Sequence, residues 1–391
     1  MSGARLARAC SAAAMVAAAL YSSVLPAQSL EHNRITLTGT HRAWTVGDTT
    51  ISENVAQVRY ELFAPRVRFR LDGSALQFSA PAAAISGNLP ISAQLDFAPR
   101  PADTLTVFAR SPSQPFDLTA RETSALSTGG TSTIDLQSTA LGTVATGGGR
   151  VAVAFPLGDQ VLSLRAGYEY EPRPGGSSPV YWRGSTMRGG ASLTANIGGG
   201  SIAAAFDISH SSADSLGGRN LFPGGGNFAL QLTGNGAMTN PFDPLEDEEW
   251  PLQGVLFYSR PYGNDRSDQP NLIIPLGDLV GALGSLMLPV GNVSVTPTLQ
   301  YLRETSSSGS VAGAVRSDLS GSSWTLQSGV DVSIPVGDRF ELTPTVGYAF
   351  GSVGATVSQA ATVRRGRVTR TSSFADGIRG TWLALQFSAS F

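Results

Sequence analysis

The chain ends in the sequence Thr381-Trp382-Leu383-Ala384-Leu385-Gln386-Phe387-Ser388-Ala389-Ser390-Phe391. Counted back from the last residue by twos, one face of this segment collects apolar side chains and the other collects mainly small or polar ones. The apolar face consists of Phe391, Ala389, Phe387, Leu385 and Leu383. Because successive side chains of a β-strand point to opposite sides of the sheet, this period of two predicts an amphipathic strand.

The same alternation recurs upstream in segments that are long enough to cross a membrane. Residues 340–350 carry apolar side chains at every second position from Phe340 to Phe350, and residues 324–334 and 162–170 repeat the pattern closely. A tilted strand needs about ten residues to cross the hydrocarbon layer of a bilayer. These segments therefore predict several membrane-crossing strands, each with one apolar face.

A short turn of repeated sequence joins some of these strands. It occurs as Phe155-Pro156-Leu157-Gly158-Asp159, Leu288-Pro289-Val290-Gly291-Asn292 and Ile334-Pro335-Val336-Gly337-Asp338. Proline fixes φ early in a turn, and glycine followed by Asp or Asn tolerates positive φ. The repeat predicts tight connections between neighbouring strands.

The other connections are long and rich in Gly, Ser, Asp, Arg and Pro. They cover 171–184, 211–226, 260–277, 304–322 and 351–379. No run of ~18 apolar residues follows the N-terminal segment, so a chain that crosses a bilayer must satisfy its backbone groups in a closed barrel. Tight turns alternating with long polar loops are typical of such barrels. The predicted fold is an all-β, antiparallel up-and-down transmembrane β-barrel.

The strand count follows from the anchored C-terminal end. Counting back to Arg34 gives about sixteen strands, fourteen is equally defensible because the pair near Ser74 to Phe97 is weak, and about twelve is the lower bound. Residues 111–149 show no clear alternation over most of their length. They could form a long outer loop, an inward-folded constriction, or an additional hairpin.

The N-terminal residues have the order of a secretory signal peptide. Arg5 and Arg8 precede an Ala-rich apolar stretch, and small residues follow near Ala27 and Ser29, after either of which cleavage is expected. We therefore assign 1–29 to a signal peptide and 30–391 to the barrel. The one cysteine, Cys10, lies in the leader, so no disulfide or cysteine-based metal site is expected in the exported chain.

The terminal Phe391 on an amphipathic strand resembles the C-terminal signature of bacterial outer-membrane proteins. The resemblance covers the last strand and, more loosely, the strand–turn rhythm from Val151 onward, and it extends to porin-like and fatty-acid-transporter-like barrels. It implies insertion by the barrel-assembly machinery, with Phe387 and Phe391 as the assembly signal. It also implies a place in the cell outer membrane, in contact with lipid and lipopolysaccharide.

The inward face predicts a channel. A barrel of fourteen to sixteen strands lined by small residues is too wide for its side chains to fill, so it holds water unless a plug occupies it. The alternation assigns seven residues to the lumen: Arg165, Glu169, Asp207, Gln300, Asp331, Glu341 and Thr345. With few charges, this lumen indicates a weakly selective pore for small solutes or a transporter of apolar molecules. The alternative is a non-conducting structural or adhesive barrel, and self-association is left open.

Other chemistry has weaker support. His210-Ser211-Ser212 is similar to the motif of outer-membrane phospholipases, but the following Asn-Gly of that family is Ala213-Asp214 here, so a polar strand end is expected. Three further sets of residues are candidates for binding a metal ion or lipopolysaccharide: Asp243, Glu246, Asp247, Glu248 and Glu249; Arg364, Arg365, Arg367 and Arg370; and His32, His41 and His210.

The acidic set lacks the spacing of a calcium loop and is expected to be a solvated turn. The arginine run is expected to be a solvated loop, with lipopolysaccharide phosphates as the alternative partner. The histidines have no metal-ligand spacing. We expect no catalytic residue, cofactor or metal, and a net charge of −2 gives no nucleic-acid footprint.

Overall fold

A computed structural model of the protein describes residues 32–80, 83–88, 91–100, 103–112, 144–173, 181–182, 184–212, 214–216, 219–222, 225–239, 249–262, 276–312, 315–363 and 366–391. The expected signal peptide, most of segment 111–149, the acidic residues 243–248, and Arg364 and Arg365 lie outside the described residues. Within these ranges, no helix has the length and apolar character to span a membrane.

Sixteen strands form one closed antiparallel sheet, which confirms the expected fold and the higher strand count. They are β1 (His32–Val46), β2 (Thr49–Ala64), β3 (Val67–Ala80), β4 (Ala83–Asn88 and Ser92–Phe97), β5 (Thr104–Arg110), β6 (Thr146–Leu157), β7 (Gln160–Tyr170), β8 (Thr186–Ile197), β9 (Gly200–Ser211), β10 (Gly225–Thr239), β11 (Glu249–Tyr262), β12 (Leu276–Leu286 and Leu288–Val290), β13 (Val293–Ala312), β14 (Val315–Val336), β15 (Phe340–Val363) and β16 (Gly366–Ser390). Three short strands, Tyr181–Trp182, Asp214–Leu216 and Arg219–Phe222, form a small separate sheet. The weak alternation from Ser74 to Phe97 coincides with β4, which consists of two six-residue pieces.

The barrel closes where the first strand meets the last. β1 and β16 pair from Arg34 opposite Ser390 to Val46 opposite Ile378. The backbone N–H of Asn33 donates to the carbonyl of Phe391, and that of Phe391 donates back, both at 2.9 Å. Closure removes the free sheet edges, whose unpaired backbone groups could not be satisfied in lipid.

The three turns of repeated sequence all lie at the end of the barrel that holds Phe391, which we call the turn end. Gly158, Gly291 and Gly337 have φ values of 65°, 64° and 69° there, a conformation that favours glycine. The connections after β5, β7, β9 and β11 leave from the opposite end, which we call the loop end. The expected asymmetry between the two ends is therefore present.

Two of the five expected long loops are strands instead. Residues 304–322 belong to β13 and β14, which pair out to Ala312 opposite Val315. Residues 351–379 belong to β15 and β16, which pair out to Val363 opposite Gly366. Each neighbour supplies a complete ladder of backbone hydrogen bonds, and this tertiary pairing overrides the weak strand propensity of the Gly and Ser residues.

Side chains that contact each other across an intervening strand identify the inner face. Arg34 on β1 is in register with Ser390 of β16, and Glu341 on β15 is in register with Ser388, two residues away on the same face of β16. The side chains of Arg34 and Glu341 meet over this intervening strand at 3.2 Å. Such a contact over a neighbouring strand is favoured on the concave side of a curved sheet. The face that carries Arg34, Glu341 and Ser388 is therefore the lumen, and the opposite face is the outside.

The outer face is an apolar belt. Its side chains are exposed in the isolated barrel, as Leu383 (56%), Val346 (54%) and Val58 (51%) show. Aromatic side chains are also exposed on this face toward the loop end: Tyr168, Tyr170, Tyr301, Trp324, Tyr348 and Phe350. An outward apolar band flanked by aromatic residues is the surface of a barrel solvated by lipid.

Candidate functional site in the barrel lumen

The residues that the sequence assigns to the lumen all lie on the inner face. In register, Gln300 faces Gln327, Asp331 faces Thr345, and Glu341 faces Ser388. On the far side of the barrel, Arg165, Glu169 and Asp207 point inward from β7 and β9, which both flank β8. Whether these residues line a conducting path is a matter for experiment.

The lumen carries many more charged side chains than the alternation of the sequence predicts. Register and alternation place nine arginines on the inner faces of β1 to β8: Arg34, Arg42, Arg59, Arg68, Arg70, Arg110, Arg150, Arg165 and Arg188. We call the inner faces of β1 to β9 the arginine wall. Eight of these nine arginines lie outside the few charges expected from the sequence, which assigned only Arg165 to the lumen. The strict alternation of Val67-Arg68-Phe69-Arg70-Leu71-Asp72 is a signal that could have revealed part of it.

Carboxylates hold the arginines of β1 to β3 in place. Arg59 pairs with Asp72 at 2.6 Å, in register across β2 and β3. One carboxylate, Glu61, accepts from Arg68 and lies 3.8 Å from Arg70, and its side chain is 7% exposed. Shared carboxylates of this kind fix several guanidinium groups in one row along the wall.

Glu169 is the centre of a second network on β5 to β8. Its side chain is 4% exposed and lies 3.7 Å from Arg110 and 3.4 Å from Arg188. Four residues before Glu169, on the same inner face of β7, Arg165 pairs with Asp207 of β9 at 3.0 Å. The network thus crosses four strands, and removal of its central carboxylate would take away the negative charge beside two guanidinium groups.

Three arginines of this wall, Arg68, Arg110 and Arg150, lie over aromatic rings. The guanidinium carbon of Arg150 lies 4.9 Å from the centroid of the Phe108 ring. The Phe108 ring lies against Gly148, where an added Cβ would come within 2.8 Å of it. This cation–π contact orients the Arg150 side chain along the wall.

The inner faces of β10 to β16 form what we call the arginine-free wall, because none of their described inward side chains is an arginine. Their inward charges are carboxylates, including Glu304, Asp331 and Glu341, and Thr345 donates to Asp331 at 2.6 Å. The rest of this wall carries small, hydroxyl, amide and apolar side chains, such as Thr298, Gln300, Phe257, Leu283 and Leu302.

Aromatic rings on this wall lie flat over glycines. The Trp382 ring covers Gly347 and Gly329, and a Cβ at Gly329 would lie 3.1 Å from it. The Phe257 ring covers Gly281 in the same way, so that a side chain there would overlap it. Because glycine lets each ring lie against the backbone, the rings do not project across the lumen.

Toward the loop end, inward side chains of both walls are covered. On the arginine-free wall, Ala349 and Ile378 are 0% and 1% exposed. Trp44, which lies on β1 of the arginine wall, is 4% exposed. On the arginine wall, Thr146 and Thr186 are buried beside Glu169. Inward side chains are therefore packed closely together at this level of the barrel.

The hydrolase motif does not form a dyad. His210 lies on the outer face and stacks on Tyr262, with ring centroids 6.2 Å apart. The hydroxyl of Ser212 accepts the backbone N–H of Ser185 at 3.1 Å. Both groups are thus engaged with other partners at the loop end of β9.

The remaining candidates can be placed only in part. Within the described part of the chain, no three His, Cys, Asp or Glu side chains are grouped as a metal site would require. Arg367 and Arg370 lie near the start of β16, in register with Thr362 and Gln359 of β15. Phe387 stacks on Phe340 at 5.8 Å on the outer face, and Phe391 is 56% exposed; their role in assembly remains a prediction.

Several solved structures resemble the whole chain. OpdK of Pseudomonas aeruginosa, solved with vanillate, has 9% identity and a TM-score of 0.44, and the match covers 93% of this chain and 99% of that one. A loop L8 deletion mutant of OmpT, an outer membrane protein of Vibrio cholerae, has 10% identity and a TM-score of 0.40, with coverages of 92% and 99%. OccK2 of Pseudomonas aeruginosa, solved with glucuronate, has 13% identity and a TM-score of 0.35, with coverages of 93% and 97%.

At these identities and scores, the likeness is one of overall shape. No protein-family model and no curated protein matches the sequence. The closed sixteen-strand sheet, its outward apolar belt and its two ends define the chain as a transmembrane β-barrel of the bacterial outer-membrane type.

Proposed function

We propose that the protein is a passive channel of the outer membrane for small hydrophilic solutes, with a preference for anions. The observation that carries the proposal is the row of nine inward arginines on adjoining strands of the arginine wall. A wall of this kind must be hydrated, because ionised groups are costly to remove from water. A hydrated, charged wall favours polar solutes over the apolar cargo that the sequence left open.

The anion preference rests on the arginine wall, where the described arginines outnumber the carboxylates. Within its strands, the arginine wall carries nine arginines and six carboxylates: Glu53, Glu61, Asp72, Asp96, Glu169 and Asp207. The charged side chains described on the inner face of the arginine-free wall are carboxylates, so the net positive charge is confined to the arginine wall. An anion that enters the lumen is therefore attracted to one side, and a low-dielectric wall focuses that field.

Single-channel recording of the purified protein in a planar bilayer tests the proposal. We expect discrete conductance steps, and in a gradient of KCl we expect a reversal potential of the sign that chloride permeation produces. A cation-selective reversal potential would contradict the anion preference. Complete absence of conductance in a correctly folded sample would contradict the channel itself.

Location is tested separately. We expect cell fractionation to recover the protein with the outer membrane, and we expect unboiled samples to migrate differently from boiled ones on a denaturing gel. Folded barrels resist the detergent because their strands form a closed hydrogen-bonded sheet. Recovery as a periplasmic protein without a heat-dependent shift would exclude an outer-membrane function.

A second candidate function is a non-conducting structural barrel. The burial of Ala349, Ile378 and Trp44 favours it, because inward side chains that pack together leave less room for a conducting path. The same recordings separate the two functions, since a structural barrel inserts and shifts on a gel yet passes no current.

A further inference from the structure

A cavity of about 400 Å³ opens on the inner wall at the turn end. It lies between the β12–β13 turn, which contains Asn292, and the β14–β15 turn, which contains Asp338 and Arg339. The ion pair of Arg34 and Glu341 lines it, at 3.2 Å, above the buried Ser388. The two turns are copies of one repeated sequence, so the cavity is formed where the repeat occurs on nearby hairpins.

The polar lining mixes donors and acceptors closely. Guanidinium groups come from Arg34 and Arg339, carboxylates come from Asp338 and Glu341, and Asn292 supplies an amide. Further hydroxyls come from serines of β13, β14 and β16: Ser294, Ser333, Ser388 and Ser390. The hydroxyl of Ser333 donates to Glu341, and that of Ser388 is hydrogen-bonded to Thr36 and Gln386. Ser294 and Ser390 add two hydroxyls, a group that can both donate and accept a hydrogen bond.

The charges of this lining balance, because two guanidinium groups stand against two carboxylates, so the cavity has no net charge that favours an ion of either sign. Its mixture of donors and acceptors suits a neutral polyol, whose hydroxyls both donate and accept hydrogen bonds. A sugar hydroxyl donates to a carboxylate and accepts from a guanidinium or amide at the same time. The volume lies within the range of small-molecule sites, about 300–1,000 Å³.

We propose that this cavity is a binding site for a small neutral sugar at the turn-end mouth of the lumen. The proposal rests on the proposed channel function, since a solute that crosses the lumen passes the inner wall at this end. It goes beyond that function because it names a second solute class and a site at which the solute pauses.

A matched pair of variants tests the site. Asp338→Ala removes a lining carboxylate, and Asp159→Ala removes the equivalent residue of the same repeated turn between β6 and β7, which does not line the cavity. Maltose, added in turn to each side of single channels in a bilayer, should interrupt the current when it is on the turn-end side. We expect Asp338→Ala to shorten these interruptions at least severalfold and Asp159→Ala to leave them unchanged.

Asn292→Ala provides a second variant on the other turn and should act in the same direction as Asp338→Ala. Calorimetric titration of maltose into the folded protein in detergent measures the site without any current, with a heat-dependent gel shift as the check on folding. Equal effects of Asp338→Ala and Asp159→Ala would overturn the proposal, and so would a lack of maltose binding by a channel that conducts. A protein that binds maltose but never conducts would instead overturn the channel function and leave the site standing.

Discussion

The two halves of the lumen differ although one chain of uniform architecture builds both. Both halves share the same outward apolar belt, the same strand pairing and the same tight turns. On the arginine wall, ion pairs such as those of Glu61 and Glu169 fix the long side chains. On the arginine-free wall, aromatic rings lie against glycine residues of the neighbouring strands. The comparison shows that lipid constrains one face of every strand, while the inner face is free to vary for function.

The two walls keep their long side chains out of the passage mainly in different ways, although Phe108 of the arginine wall also lies against a glycine, Gly148. On the arginine wall, long side chains are tied to carboxylates of neighbouring strands, so they lie along the surface. On the arginine-free wall, Trp382 and Phe257 lie in glycine slots. A water-filled path therefore depends on electrostatic pairing on one side and on backbone shape on the other.

The largest expected effect comes from the centre of the arginine wall. Glu169→Gln removes the negative charge that lies 3.7 Å from Arg110 and 3.4 Å from Arg188. Removing one partner from a buried ion pair costs about 3–5 kcal/mol, so we expect the free energy of unfolding to fall by about 3 kcal/mol. Urea unfolding of the barrel in lipid vesicles, followed by tryptophan fluorescence, measures it.

The control for this variant is Glu341→Gln. Both side chains of the Arg34–Glu341 pair are 38% exposed, so the loss should be about 1 kcal/mol or less. Equal losses for the two variants would mean that burial does not distinguish the two networks.

The second effect compares the two faces of one strand on the arginine-free wall. Val346→Arg places a charge in the lipid-facing belt and should destabilise the barrel by about 2–4 kcal/mol near the midplane. Thr345→Arg points toward Asp331 in the lumen and should fold normally while raising the anion preference. Folding yield in vesicles and the reversal potential measure the two outcomes. Reversed stabilities would place the register off by one residue, and equal damage would indicate a strand buried on both faces.

A smaller effect tests the selectivity of the arginine wall. Arg150→Gln removes an inward charge that rests on Phe108, so little structural change is expected. A unit charge about 10 Å from an ion in water contributes about 0.4 kcal/mol, so the anion-to-cation permeability ratio should fall roughly twofold. Reversal potentials in a salt gradient measure this ratio.

Arg260→Gln is the matched control, because Arg260 lies on the outer face and pairs with Asp278 at 3.7 Å. Its permeability ratio should equal that of the unchanged protein. A fall in both variants would show that selectivity comes from the overall charge and not from the arginine wall.

The smallest effect tests the glycine slots. Gly347→Ala would overlap the Trp382 ring and push it into the lumen, so single-channel conductance should fall with selectivity unchanged. Trp382→Ala in the same chain should restore it. Gly234→Ala is the control, since no atom lies within 4 Å of a Cβ built there. Unchanged conductance in Gly347→Ala would mean that this ring does not border the conducting path.

The alternation of side chains predicts those features that depend on residues close together in the sequence. The face of Thr345 and Val346, the inward position of Arg165 and the tight repeated turns follow from neighbours in sequence, and the structure has them as expected. The prediction was wrong for 304–322 and 351–379, because the stability of those strands comes from partners distant in sequence. It also underestimated the lumen charge, since Arg34, Arg59 and Arg110 lie in strands whose alternation was not followed.

The sequence by itself determined that the chain forms amphipathic strands, turns tightly at one end and must close to satisfy its backbone in lipid. These features depend on side-chain period and turn chemistry, which act within a few residues. Only the tertiary structure decided that nine arginines share one wall, that Glu169 bridges two of them, and that two copies of a turn enclose one cavity. Those arrangements depend on strand register and barrel curvature, which bring residues from separate hairpins together.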